Sequence, residues 1–101
     1  MAFLGGALDA TIAAAAGGDE ALYRELRRAF LESAERQLDL LRRSRCDGNW
    51  RIAGLRLKGL ASSFHDEELS ALAEEVVDAA PSEPTVLRRI DAHLRGLSLT
   101  L

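Results

Sequence analysis

Apolar residues recur at every third or fourth position in five segments of this chain, which is the period of an α-helix. The first segment ends at Gly17-Gly18, because paired glycines typically terminate a helix. Its apolar positions are Phe3, Leu4, Ala7, Leu8 and Ile12. Asp19 is placed to cap a second helix that runs to about Arg43. The inward stripe of that helix is predicted to be Tyr23, Leu26, Phe30, Ala34, Gln37 and Leu41, with Leu31 and Leu38 to one side.

A third helix is expected to follow the turn Asp47-Gly48-Asn49, with Asp47 or Asn49 as its cap, and to run to about Phe64. Its inward stripe is Ala53, Leu57, Leu60 and Phe64. Asp66 is predicted to cap a fourth helix. The inward positions of the fourth helix are Leu69, Leu72, Ala73, Val76 and Ala80. Pro84 suits the first turn of a fifth helix. The stripe of the fifth helix is Val86, Leu87, Ile90, Leu94 and Leu97.

The connections between these helices are short, and short connections favour antiparallel neighbours. We therefore predict an all-α fold in which the second to fifth helices form an up-down-up-down antiparallel four-helix bundle. The short first helix is expected to cap one end of it. A chain of 101 residues, 48% of them hydrophobic, is the size of one domain with one modest core. Residues 1–101 are accordingly predicted to be a single domain.

Leu55 departs from the pattern of the third helix. At about 100° per residue it points roughly 170° away from the centre of the apolar stripe, which is the direction of solvent. The residues predicted to surround it on this outer face are Arg51, Lys58 and Ser62, with Gly54 and Gly59 flanking. A glycine inside a helix costs on the order of 1 kcal/mol relative to alanine. Two of them beside Leu55 indicate that another helix or backbone approaches closely.

The string Leu55-Arg56-Leu57-Lys58-Gly59 resembles the signature of histidine phosphotransfer (HPt) domains, His-x-Leu-Lys-Gly. The similarity continues through Ala61, Phe64 and residues 69–72. As a pattern of helices it covers the chain roughly from Asp19 to Leu94. HPt domains are small helical bundles that accept a phosphoryl group on the motif histidine. They exchange it with an aspartate of a response-regulator receiver domain.

The resemblance implies a role for each matching residue. Leu57 corresponds to the core leucine, Lys58 to the lysine beside the phosphoryl group, and Gly59 to the small residue that admits the receiver. Leu55 occupies the position of the phosphorylatable histidine, and His65 the position of a glycine at the end of the helix. Leucine has no nucleophilic nitrogen, so the transfer chemistry is lost at this position. The expected protein is a pseudo-HPt module with no catalytic residue, which is not an enzyme.

This interpretation predicts an interaction with a receiver domain or a histidine kinase. The residues assigned to the partner-binding surface are Arg51, Gly54, Leu55, Lys58, Gly59 and Ser62. Receiver domains carry an acidic pocket, so Lys58 and Arg51 would supply complementary charge. Two other functions remain open on the sequence alone. One is active phosphotransfer through His65 or His93, and the other is a structural bundle that self-associates through Leu55.

Composition and charge bear on the partners, the cofactors and the location of the protein. The net charge of −3 gives no reason to expect nucleic acid as a partner. No apolar run approaches the length of a membrane span, and no basic residue precedes the first apolar stretch as in a signal peptide. Cys46 is the single cysteine, which is typical of a cytoplasmic protein and leaves no internal disulfide. The spacing of side chains predicts no metal and no cofactor. We expect a monomer or a weak dimer.

Overall fold

The computed structural model describes residues 6–99, and in this range the chain forms five α-helices and no strand. The helices are α1 Ala7–Ala16, α2 Glu20–Arg43, α3 Asp47–Ser63, α4 Glu67–Asp78 and α5 Pro84–Leu99. The prediction of an all-α fold is confirmed. Phe3 and Leu4, which were assigned to the first helix, lie outside the described residues.

Most helix ends follow the sequence signals. Gly17 ends α1 in the left-handed conformation, with φ at 60°, where glycine meets no steric cost. The carboxylate of Asp19 accepts the backbone N–H of Leu22 at 3.0 Å. The carboxylate of Asp66 accepts the N–H of Leu69 at 3.1 Å. Pro84 is the first residue of α5. The predicted caps of α2 and α4 and the predicted start of α5 are therefore confirmed.

The start of α3 differs from the prediction. The helix already includes Asp47, and its N-cap is Cys46, which makes no capping hydrogen bond through its side chain. The connection is instead residues 44–46. Buried Ser44 closes the end of α2, because its hydroxyl donates to the carbonyl of Leu40 at 2.7 Å. The prediction that Asp47 or Asn49 caps α3 is wrong. Asp47 instead lies in the first turn of α3, where its negative charge interacts favourably with the helix dipole.

The helices enclose one apolar core. Helix α2 packs against α3 and α5, α4 packs against the same two helices, and α1 packs against α2. The largest apolar side chains that are fully buried are Leu8, Ile12, Phe30, Leu41, Trp50, Leu57, Leu69, Val76 and Ile90. Leu31 and Leu38 are buried as well, so the apolar face of α2 is wider than the predicted stripe. Ala80 is exposed, contrary to its predicted inward position, because α4 ends at Asp78.

A buried ion pair lies beneath α1. Nε of Arg27 is 3.0 Å from Oδ1 of Asp9, and the two side chains are only 2% and 5% exposed. Nη1 of Arg27 also donates to the carbonyl of Leu97 at 2.7 Å, which joins α2 to α5. The Tyr23 hydroxyl donates to the same Asp9 oxygen at 2.9 Å. Burial, and next the hydrogen bond to Asp9, raise the pKa of Tyr23 above its ordinary value. The polar contacts of Arg27 thus hold α1, α2 and α5 together.

Candidate functional site

The outer face of α3 carries apolar side chains in contact with solvent. Leu55 is 45% exposed, Ile52 is 49% exposed, and Leu40 on neighbouring α2 is 37% exposed. Leu57, on the opposite side of α3, is completely buried. The helix is therefore oriented as its sequence predicts. We call the surface formed by Leu40, Ile52, Leu55 and Gly59 the α3 face.

Basic side chains border the α3 face. A shallow groove of about 250 Å³ between α2 and α3 is lined by Leu40, Ile52, Arg43 and Arg56, among others. Arg43 forms an ion pair with Asp39 on its own helix at 2.9 Å. Arg51 and Arg56 are exposed, and neither forms an ion pair with another residue in the described part of the chain. The edge of the apolar patch thus carries positive charge that its own helices do not neutralise.

Lys58 lies at the border between α3 and α4. Its Nζ is 2.8 Å from Oε1 of Glu74, and both side chains are substantially exposed. The hydrogen bond from Lys58, together with its charge, lowers the pKa of the Glu74 carboxyl. Exposed pairs of this kind contribute little to stability and exchange readily with solvent. A partner that uses Lys58 would therefore compete with Glu74 at small cost.

The structure separates the two glycines that were placed beside Leu55. Gly54 is buried, and a Cβ added there would lie 2.8 Å from Cγ1 of Val76 and 3.3 Å from Cγ2 of Val77. The assignment of Gly54 to the outer, partner-binding surface is wrong, because the helix that approaches it is α4 of the same chain. Gly59 is exposed, and a Cβ added there would meet no atom within 4 Å.

Ser62 lies one helical turn beyond Lys58 and is exposed. Its hydroxyl is 3.2 Å from the hydroxyl of Ser70 on α4. Ser62 and Lys58 therefore both face the seam between α3 and α4, whereas Leu55 and Gly59 face outward. Of the six predicted surface residues, five are at the surface, and Gly54 is not.

His65 occupies the corner between α3 and α4. Its backbone has φ at 62°, in the left-handed region that favours glycine. The N–H of His65 bonds to the carbonyl of Ser62, and the N–H of Asp66 bonds to the carbonyl of Ala61, which together close the end of α3. The ring Nδ1 is 2.9 Å from the Thr11 hydroxyl on α1. His65 thus occupies a backbone position that glycine would adopt without steric cost.

His93 lies on α5 with its side chain 11% exposed, as expected for a partly buried histidine. Its neighbours were not predicted from the sequence. Nε2 is 2.7 Å from Oδ2 of Asp66, and Nδ1 is 3.0 Å from Oε2 of Glu68. The hydrogen bond to Asp66 is the main reason that the pKa of His93 is raised, while burial acts in the opposite direction. The imidazole is therefore held between two carboxylates of the amino-terminal end of α4.

No group of three or more histidine, cysteine, aspartate or glutamate side chains in residues 6–99 is arranged to bind a metal ion. Within the same range, none of the helices is both long enough and apolar enough to cross a membrane. We compared the chain with protein-family models, with curated proteins and with solved structures, and none of the three comparisons found a match.

Proposed function

We propose that this protein is a pseudo-HPt signalling module of a two-component phosphorelay, which binds a receiver domain or a histidine-kinase-type partner without carrying phosphate itself. The observation on which the proposal depends is the exposure of Leu55. An apolar side chain projects from the helix position that carries histidine in the similar motif. Lys58 and Gly59 follow it at the expected spacing and are also at the surface.

The packing of the helices supports the corresponding bundle architecture. Helices α2, α3, α4 and α5 contact one another in cyclic order, and the connections between them are short. This arrangement favours the up-down-up-down antiparallel topology, with α1 placed against α2. In such a bundle α2 and α3 would together present the α3 face to a partner.

The histidines of the chain do not offer an alternative phosphoryl acceptor at this face. His65 lies just beyond the end of α3, about 15 Å from Leu55 along the direction of the helix. His93 has both ring nitrogens engaged by carboxylates, and its raised pKa favours the protonated form. A protonated imidazole has no lone pair with which to attack an aspartyl phosphate. We therefore favour binding over active phosphotransfer.

The α3 face has the composition of a small protein interface. Leu55 and Ile52 provide an apolar centre, and Arg51 and Arg56 provide a basic border that suits an acidic partner surface. The same charges disfavour self-association through this face, because a two-fold axis would place like charges opposite each other. A monomer that binds an acidic partner is the state that this distribution of charge favours.

The test has a chemical part and a binding part. The chain is incubated with phosphorylated receiver domains and with acetyl phosphate, and acid-labile, base-stable phosphate on the protein is measured. We expect none. Phosphate on His65 or His93 at the rate of a relay would contradict the proposal and support active phosphotransfer.

The binding part compares two leucines of similar chemistry. Leu55→Asp should weaken binding to a receiver or kinase domain strongly in titration calorimetry, because it buries a charge against an acidic surface. Leu22→Asp is the matched control, since Leu22 is also partly exposed but lies near the start of α2. If the two variants bind equally well, the α3 face is not the interface. Sedimentation of the parent protein shows whether it self-associates instead.

A further inference from the structure

A second surface of the molecule lies between α4 and α5 and, unlike the α3 face, includes acidic residues and histidines in its lining. It is an open groove of about 720 Å³ whose floor includes small residues such as Ala71, Ala92 and Gly96. His93 lies in this groove between Asp66 and Glu68. Asp66 has two roles, since one carboxylate oxygen caps α4 through the N–H of Leu69 and the other contacts His93. The imidazole thus joins α5 to the residue on which α4 begins.

The two contacts of His93 place a strict requirement on its protonation. An ionised carboxylate only accepts hydrogen bonds, so each ring nitrogen must donate to keep its partner. A neutral imidazole has one N–H donor and one bare nitrogen, whereas an imidazolium has two donors. We propose that His93 is a proton-dependent clasp, which holds α5 against the start of α4 through both carboxylates only when it is protonated.

The two carboxylates that contact His93 differ in their exposure to solvent. Asp66 is buried, while the side chain of Glu68 is 74% exposed. On loss of the proton, the ring can keep its donor toward Asp66, and Glu68 is free to turn into solvent. The contact at Nδ1 is therefore the one that opens first.

Other titratable groups line the same groove. The titratable residues that line it together with His93 are His65, Asp66, Glu67, Glu68, Glu75 and Arg89. The positive charge of Arg89 disfavours protonation of His93, but Nη1 of Arg89 is held 2.6 Å from Oε1 of Glu75, which offsets that charge. Helix α1 contributes only Ala7 to the lining, which does not titrate. The balance is acidic and favours the imidazolium.

The direction of the pH effect follows from linkage. The pKa of His93 is raised in the folded protein above the value of about 6.5 that an exposed histidine has when the chain is unfolded. Its contribution to stability is therefore complete below about pH 6.5 and is lost as the pH rises through the folded-state pKa.

The experiment uses the full chain and two measurements. The imidazole proton resonances are titrated by NMR, and the urea midpoint of unfolding is measured between pH 5.5 and 9. We expect His93 to titrate above an ordinary histidine, and the midpoint to fall as the pH rises through that value. His93→Gln should remove this part of the pH dependence, whereas His65→Gln, which removes the other histidine, should retain it.

Asp66→Asn distinguishes the contact with His93 from the role of Asp66 as the cap of α4. Asparagine is as good an N-cap as aspartate, so α4 keeps its start while His93 loses its principal charged partner. The pKa of His93 should then fall to the ordinary range or below it. Glu68→Gln should lower the pKa of His93 by a smaller amount than Asp66→Asn. The proposal is overturned if His93 titrates at or below the ordinary value in the parent protein, or if the pH dependence of the midpoint is the same in His93→Gln.

Discussion

Two sides of α3 each carry a glycine, and in the described part of the chain a packing contact explains only Gly54. On the side facing α4, Gly54 leaves room for Val76, and any Cβ would collide with it. On the outer side, Gly59 lies beside Leu55 with open space around it. Each glycine costs on the order of 1 kcal/mol of helix stability relative to alanine. Tight packing offsets that cost at Gly54. At Gly59 no packing contact in the described structure offsets it, and the proposed close approach of a partner is the explanation that the predictions below test.

The largest contrast between the two sides is expected at the leucines. Leu57→Ala should lower the free energy of unfolding by roughly 2–5 kcal/mol, because it leaves a cavity in the core. Leu55→His should change it by less than about 1 kcal/mol, since surface substitutions usually have small effects. Urea denaturation of both variants measures the two values. If the larger loss is found at Leu55, the outer side of α3 contributes to folding and the contrast fails.

Gly54→Ala tests the inner glycine. The methyl group would meet Cγ1 of Val76, a β-branched side chain with little freedom to turn away. We expect a net loss of about 1–3 kcal/mol in spite of the better helix propensity of alanine. Thermal unfolding followed by circular dichroism measures the change. A variant as stable as the parent would mean that α3 and α4 can separate locally at no cost.

Gly59→Ala is expected to act in the opposite direction on stability. With no atom near the new methyl group, the helix should gain about 0.5–1 kcal/mol. Binding to the partner should weaken at the same time, and Gly59→Gln should weaken it more because of its bulk. Denaturation and titration calorimetry on the same samples show whether stability and affinity change in opposite directions. Gly59→Ala with unchanged affinity would remove the argument for close approach.

Lys58→Ala should have the smallest effect on folding, since its pair with Glu74 is exposed on both sides. Its expected consequence is a lower dependence of partner binding on salt, because one charge is lost from the interface. Affinity measured at low and at high salt distinguishes this from a general weakening. Equal salt dependence in the variant and the parent would show that Lys58 stays with Glu74 in the complex.

The sequence predicted features that depend on local periodicity and on single caps. The helices and the caps Asp19 and Asp66 are of this kind, because the chemistry that specifies them lies within a few residues. The start of α3 was missed because Asp47, Gly48 and Asn49, which are typical turn residues, lie within the helix, whose N-cap is Cys46. Gly54 was misplaced because a helical wheel does not show which neighbouring helix will cover its edge.

The two polar contacts that the sequence did not predict join distant parts of the chain. Arg27 lies in helical register with Tyr23, Phe30 and Ala34, so its place on the inward side of α2 was visible in the pattern. The partner that makes its burial favourable, Asp9, is on another helix. His93 likewise depends on Asp66, which is 27 residues earlier. The role proposed for the α3 face depends on a partner, and only the resemblance of its motif led to that proposal.

The buried guanidinium of Arg27 defines the smallest unit that can fold. It bonds to Asp9 of α1 and to the carbonyl of Leu97 of α5, so the first and last helices converge on one side chain. A chain that began at α2 would keep the buried cation but lose the Asp9 carboxylate, and removal of one member of a buried ion pair typically costs several kcal/mol. Helix α1 is then an integral part of the cooperative unit and not a detachable extension. Tyr23, which touches Asp9, and Trp50, which lies in the bundle core, are expected to report one unfolding transition at the same midpoint.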